Sequence, residues 1–313
     1  MTETLGIREA YGEALVELGR ENRNIVVLDA DLSGSTMTKL FAREYPERFF
    51  DMGVAEQDMM GTAAGLALAG KTAFASTFAV FATGRAWEQV RQAIAYPQLN
   101  VKIVASHGGV SVGEDGASHQ MTEDLALMRA MPNMRVIVPA DAHETRAIIR
   151  LVAETPGPFY VRTSRMKFPV IYKPDVSFRL GRGDVLRPGS DVSIIACGYM
   201  VHPALQAADA LQAKGISARV VNMPTLKPVD EELILACARE TKGIVTAEEH
   251  SIIGGLGSAV CEVLCESRPA PVRRVGVRDQ FCSSGRADDL FEEYGLTAGN
   301  IVRTVEDMLR TSP

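Results

Sequence analysis

The chain has 313 residues, too many for one ordinary core, and 46% of them are apolar, enough to fill two. Its net charge of -6 comes from acids and bases interspersed along the sequence, so no basic stripe marks it for nucleic acid or an anionic lipid surface. The N-terminus shows no basic, apolar leader, no run is long and apolar enough to span a bilayer, and the 5 cysteines form no Cys-x-x-Cys pair, which together predict a cytoplasmic protein. Cys261 and Cys265, one helical turn apart, read as buried thiols.

Ile7, Ala10, Tyr11, Ala14, Leu15 and Leu18 recur at helical spacing and predict a helix over 4–20, with Arg8 near its start. Residues 24–29 read as a buried strand that feeds a small-residue loop carrying Asp31 and Ser35, at the strand end where open α/β sheets place ligands. A helix over 37–44 and a strand over 48–51 follow. Then come a turn at Gly53, a long helix that begins at Glu56, and a second strand. Over 59–69 that helix has almost no polar face, and Gly61 and Gly65 leave little side chain to keep a neighbour away. Such a helix packs deep in the molecule or against a second subunit, with Glu56 at the edge of the contact.

Beyond it the pattern gives a helix over 85–96, a strand over 101–106, a glycine-rich loop over 107–120, helices over 122–130 and 141–154, and strands over 134–138 and 159–162. This β/α alternation with short connections predicts a doubly wound, parallel-sheet α/β domain over 1–165. Turn and extended chemistry marks 166–189 as a linker. Strands at 191–196, 217–222, 243–247 and 271–277 alternate with helices at 203–214, 230–239, 256–265 and 298–310, and make a second, smaller α/β domain with a mostly parallel sheet over 190–313. Within it Gly254-Gly-Leu-Gly257 matches part of a dinucleotide fingerprint. The third glycine and the ribose-binding acid are missing, so it reads as a tight turn.

Two places hold chemistry. A carboxyl at position 56 would lose water, which disfavours its charged form and suits it to proton exchange; the plain alternative is a first-turn glutamate favoured by the helix dipole. His107, Asp115 and His119 share one glycine-rich loop at the carboxyl end of a strand. Such a loop fixes no ligand spacing, so hydrogen bonding and proton transfer with a polyhydroxylated substrate fit better than a metal site, and no metal is expected on this chain. The alternative is a turn at Asp115-Gly116 flanked by surface histidines.

Four motifs, Gly53-Val-Ala-Glu56, Ser76-Thr-Phe78-Ala-Val-Phe81, Gly113-Glu-Asp115-Gly-Ala-Ser-His119-Gln and Thr-Ser-Arg165, stand in the order and spacing of the transketolase pyrimidine-binding domain. Residues 190–313 resemble the transketolase C-terminal domain. The family's diphosphate fingerprint, Gly-Asp-Gly followed by an Asn pair, occurs nowhere. The chain therefore resembles the C-terminal subunit of a split transketolase. The resemblance implies a thiamine diphosphate enzyme whose magnesium and diphosphate site lies on a separate N-terminal subunit, with this chain dimeric inside a heterotetramer. It implies transfer of a two-carbon ketol unit from a ketose phosphate to an aldose phosphate, as in the pentose phosphate pathway.

The same resemblance assigns Glu56 to the N1′ edge of the aminopyrimidine, Phe78 and Phe81 to its faces, and Asp31 to the neighbourhood of the thiazolium. Asp115 and His119 would meet substrate hydroxyls, and Arg8, Ser35, His107 and Arg165 would clamp the substrate phosphate. Arg162 in place of Arg165, and Ser33 in place of Ser35, remain open registers. Two rivals share the fold: the β subunit of a 2-oxo acid dehydrogenase E1 component, and a non-catalytic scaffold subunit. The Glu-Asp-Gly loop and Arg165 favour transketolase over the first, as they do over half of a deoxyxylulose-phosphate synthase. Intact Glu56, Phe78, His107, Asp115 and His119 favour it over the second.

Overall fold

The computed structural model describes residues 3–311. Runs such as Ile25–Asp29 and Val101–Ala105 are mostly apolar and buried at every position, as strands covered by helices on two faces must be. They belong to a seven-stranded sheet in the order Thr225–Lys227, Arg135–Ile137, Phe159–Arg162, Val101–Ala105, Thr72–Ser76, Ile25–Asp29, Phe49–Asp51. All neighbours are parallel except Thr225–Lys227, which runs antiparallel to Arg135–Ile137. From Ile25–Asp29 the chain steps first to one side, to Phe49–Asp51, and then to the other for all later strands. The order thus reverses between Ile25–Asp29 and Thr72–Ser76, and at such a reversal adjacent loops splay apart and open a crevice at the carboxyl ends.

A second sheet follows the same scheme, with parallel strands Val272–Val277, Ile244–Ser251, Val192–Ala196 and Ala218–Asn222 and an antiparallel edge, Asp184–Arg187. The α/β class and the mostly parallel sheets agree with the sequence reading. Four strands do not appear in it. Lys167–Pro169 and Asp184–Arg187 lie inside the stretch read as a linker, and Thr225–Lys227 leaves the second half to extend the first sheet. Thr4–Gly6 pairs antiparallel with Lys167–Pro169, so the first helix begins at Ile7 rather than at 4. The helix expected over 85–96 starts earlier and contains wide π turns over Phe81–Arg85 and Val90–Ala95.

The helix Glu56–Leu68 has two faces. Met59, Met60, Ala63 and Ala64 sink into the core, whereas Gly61 and Gly65 face open space, with nothing within 4 Å of where a Cβ would stand, and Leu68 is 74% exposed. The Gly254–Gly257 turn opens the helix Leu256–Ser267, and the amides of Leu256 and Gly257 donate to the Glu248 carboxylate at 2.7 and 2.8 Å. A Cβ at Gly255 would stand 2.0 Å from Glu248 Oε2. The glycines admit the chain's own carboxyl to the helix N-terminus, where a nucleotide would have placed phosphate. Cys261 is half-buried and Cys265 exposed, which corrects the buried-thiol reading: they lie off the face that Ala259, Val260 and Leu264 turn to the core.

Candidate active site

The crevice at the chain reversal collects most of the chemistry. Asp29, at the end of its strand, is buried and accepts from the Thr36 and Thr38 hydroxyls at 2.6 and 2.8 Å and from the Leu32 amide at 2.6 Å. Burial pushes its carboxyl up to about 6 against those donors. This net folds the next loop back, with Asp31 at φ 60° and exposed, and Ser35 beneath Arg8, whose Nη1 donates to the Ser35 carbonyl at 2.9 Å. In the core beside it, buried Tyr11 OH and Ser76 Oγ share a hydrogen bond of 2.7 Å. Among the described residues nothing hydrogen-bonds the buried Thr77 hydroxyl or Arg8 Nε.

Glu56 is the first residue of its helix and is 2% exposed. Arg85 Nη1 stands 2.9 Å from both of its carboxylate oxygens, and the same guanidinium lies 4.4 Å from the centre of the Phe81 ring. Phe81 is nearly parallel to Phe78 at 6.0 Å, and Phe78 stacks on the His107 imidazole at 3.7 Å. His119 meets both phenylalanines edge-on, at 5.6 Å from Phe81 and 6.3 Å from Phe78. An ion pair, two phenyl rings and two imidazoles thus form one contiguous group. His107 Nδ1 and Ser106 Oγ are 2.9 Å apart. Burial, with the charges of Arg8, Arg165 and His119 adding to it, pushes the His107 imidazole down to about 3, so it is uncharged at neutral pH.

Arg165 Nη1 donates to the Val112 carbonyl at 2.7 Å, and its guanidinium sits 3.2 Å from Glu114 and 3.8 Å from Asp115. Arg162 takes a different part. It is buried, pairs with Asp124 at 3.2 Å and donates to the carbonyls of Glu249 and Met121. Of the two registers left open, Arg165 is the guanidinium near His107 and Asp115, and Ser35 is the serine that Arg8 touches. The sequence reading places Arg85 only at the start of a helix and not among the candidate site residues. It follows the Phe78–Phe81 motif by four residues, but nothing in one dimension reveals that it returns to Glu56. Among the described residues no group of three or more His, Cys, Asp or Glu side chains is arranged to hold a metal ion, and no helix is long and apolar enough to cross a membrane.

Two family profiles match the chain: the transketolase pyrimidine-binding domain over residues 3–170 and the transketolase C-terminal domain over 181–301. A Methanocaldococcus jannaschii protein, provisionally named a transketolase C-terminal section, is 52% identical over 97% of this chain and 96% of its own length. A 6-deoxy-6-sulfo-D-fructose transketolase subunit from a Clostridium species is 44% identical, covering 96% of this chain and 94% of the relative. One subunit of the apulose-4-phosphate transketolase of Phocaeicola vulgatus is 41% identical, with 98% of both covered.

Among solved structures, a split-gene transketolase described as an inactive β4 tetramer shares 57% identity and superposes with a TM-score of 0.93 over 99% of this chain and 100% of that one. Leishmania mexicana transketolase superposes with a TM-score of 0.84 at 26% identity, over 100% of this chain but 47% of its own. The order of the motifs, the two sheets and these matches lead to one statement: the chain belongs to the transketolase family, with the pyrimidine-binding domain first and the C-terminal domain after it.

Proposed function

We propose that this chain is one subunit of a two-chain, thiamine diphosphate-dependent transketolase that moves a two-carbon ketol unit from a ketose to an aldose, working with a separate N-terminal subunit that carries the magnesium and diphosphate site. The observation that carries this reading is the group formed by Glu56, Phe78, Phe81, His107 and His119 at the crevice of the pyrimidine-binding domain. That group suits an aminopyrimidine: phenyl faces for a flat ring and a buried carboxylate beside them. It suits nothing more of the cofactor, since this chain lacks the diphosphate fingerprint. Alignment of the whole chain with about half of the L. mexicana enzyme fits the same division of labour.

The cofactor supplies a carbon nucleophile and an electron sink for cleavage of the bond beside a ketose carbonyl. The protein's part is to hold and to move protons. Glu56 would bond the ring nitrogen at its edge, and Phe78 and Phe81 would hold the ring without competing for its polar atoms. Uncharged His107, beside Arg8 and Arg165, would offer a hydrogen bond to the sugar's oxyanion tail without repelling the neighbouring cations, with His119 and Asp115 at the hydroxyls. Arg8, Arg165 and Ser35 would grip a terminal oxyanion through charge-assisted bonds. The substrates named for the two subunit relatives end in a sulfonate or carry a phosphate, which supports an oxyanion-tailed sugar as the substrate class rather than one particular pentose phosphate. Localisation in the cytoplasm and assembly as a heterotetramer belong to the same proposal.

The test is reconstitution with the N-terminal subunit. Glu56→Gln is expected to leave the two chains associated, by sedimentation, while lowering ketol-transfer kcat by about three orders of magnitude, the scale of a lost catalytic proton-transfer group. Near-normal turnover in that complex would remove Glu56 from the reaction. Decarboxylation of a 2-oxo acid in place of ketol transfer would make the chain an E1-type subunit.

A further inference from the structure

The second sheet also reverses its order, between Val192–Ala196 and Ile244–Ser251, so it too has a crevice where doubly wound sheets bind ligands. Here the crevice is filled from within. Gly108, Arg162, Thr163 and Ser164 of the first half meet Cys197, Gly198 and Glu249 of the second around a void of about 10 Å³, room for no more than about one water. Glu249 Oε1 accepts from the Ser111 amide at 2.5 Å. Gly109, at φ 87°, passes so close that a Cβ would stand 2.4 Å from that same carboxylate oxygen.

The grip continues along the glycine-rich loop. Ser284 Oγ donates to the Glu114 carbonyl at 2.5 Å, and Gln120 Nε2 donates to the Ser283 carbonyl at 3.1 Å and, within its own loop, to the Gly113 carbonyl at 3.3 Å. A Cβ on Gly113 would lie 3.3 Å from the Gly285 carbonyl oxygen, and one on Gly116 3.2 Å from the Ser284 Cβ. The loop therefore has two faces. Gly113, Gly116 and Gln120 are buried against the second half, while Asp115 is exposed and His119 half-exposed on the other side. The segment that grips is itself fixed, because buried Cys282 anchors it in the second core and Tyr294 OH accepts from the Ser283 amide at 2.7 Å.

We infer that Ser283–Gly285, with Glu249, is a brace: the C-terminal domain positions the loop that carries Asp115 and His119, and Ser284 and Gln120 are positioning residues for sugar binding. This rests on the reading of Asp115 and His119 as substrate contacts. The test uses the reconstituted two-chain complex with Ser284→Ala and, separately, Gln120→Ala, and with Ser284→Thr as the variant that keeps the hydroxyl.

Amide hydrogen exchange across 110–120 is expected to quicken about tenfold in the alanine variants and to return towards the parent rate in Ser284→Thr. The Michaelis constant for the sugar is expected to rise about fivefold to tenfold with kcat within about twofold and thiamine diphosphate affinity unchanged. Parent-like exchange in both alanine variants would overturn the brace. Faster exchange with an unmoved Michaelis constant would uphold the brace and overturn the assignment of the loop to the sugar. Equal losses in kcat and cofactor affinity would reduce the contact to general domain packing and overturn the positioning role.

Discussion

Arg165 is tethered on one side and open on the other. Its guanidinium is held by the Val112 carbonyl and flanked by Glu114 and Asp115, yet its side chain is 39% exposed and presents donors to solvent. A phosphate or sulfonate arriving there would meet a fork already oriented, and a charge-assisted bond of this kind is worth about 1.5–3 kcal/mol. Arg165→Ala is therefore expected to raise the Michaelis constant for an oxyanion-tailed sugar by about tenfold to a hundredfold and to leave that for an untailed sugar within about twofold. Equal changes for both sugars in steady-state kinetics would remove Arg165 from the clamp. Arg162, three residues earlier and of the same chemistry, is committed to Asp124 and two carbonyls in the interior. A buried ion pair that loses one partner leaves an uncompensated charge, so substitution there would act on stability before it acted on affinity.

At the scale of the element, the helix Glu56–Leu68 is packed on one face and open on the other. Its buried face keeps Glu56 in place, while its open face carries exposed Leu68 and the glycines Gly61 and Gly65, which no described residue approaches within 4 Å of a Cβ position. Glycine inside a helix costs about 0.5–1 kcal/mol relative to alanine, a cost with no return unless another backbone must come close. Gly65→Leu is thus expected to leave the melting temperature of the isolated chain unchanged or slightly raised, while association with the N-terminal subunit weakens at least tenfold in a calorimetric titration. Undiminished association would mean that the partner docks elsewhere. The length of its apolar, Ala- and Gly-rich run exposed this helix, and the same all-round apolar character hid which face turns inward. The π turns over Phe81–Arg85 and Val90–Ala95 were not legible, since no residue type specifies them.

For the whole molecule, buried carboxyls join the halves and couple stability to pH. Glu144, on a helix of the first half, accepts from the Ala140 amide at 2.6 Å and from Asn222 Nδ2 of the second half at 2.8 Å. Burial pushes it up to about 8, outweighing the hydrogen bonds that favour its ion. A carboxyl whose folded value exceeds its unfolded one contributes stability fully below the unfolded value, about 4.3, and loses it as pH rises through about 8. Relative to Glu144→Gln, which carries no titrating proton, the parent chain is expected to lose stability steadily between about pH 4.5 and 8. Denaturant melts at pH 5, 7 and 9 would measure it. A pH-independent difference between the two proteins would show that Glu144 stays ionised throughout.

The sequence by itself determined the α/β class, most of the alternation of strands and helices, the family and the residue types of the candidate site, because these depend on local periodicity and on motifs a few residues long. Glu56, Phe78, Phe81, His107 and His119 were legible in that way. Tertiary structure alone decided that Arg85 closes on Glu56, that Arg165 and not Arg162 lies beside Asp115, and that Glu248 fills the turn that resembled a nucleotide site. It also sent Thr225–Lys227 across to the first sheet and set Ser284 beneath the glycine-rich loop. Each of these joins residues distant along the chain, and no local pattern encodes such a pairing: it follows from how two sheets, each with its order reversed at a crevice, come to rest against one another.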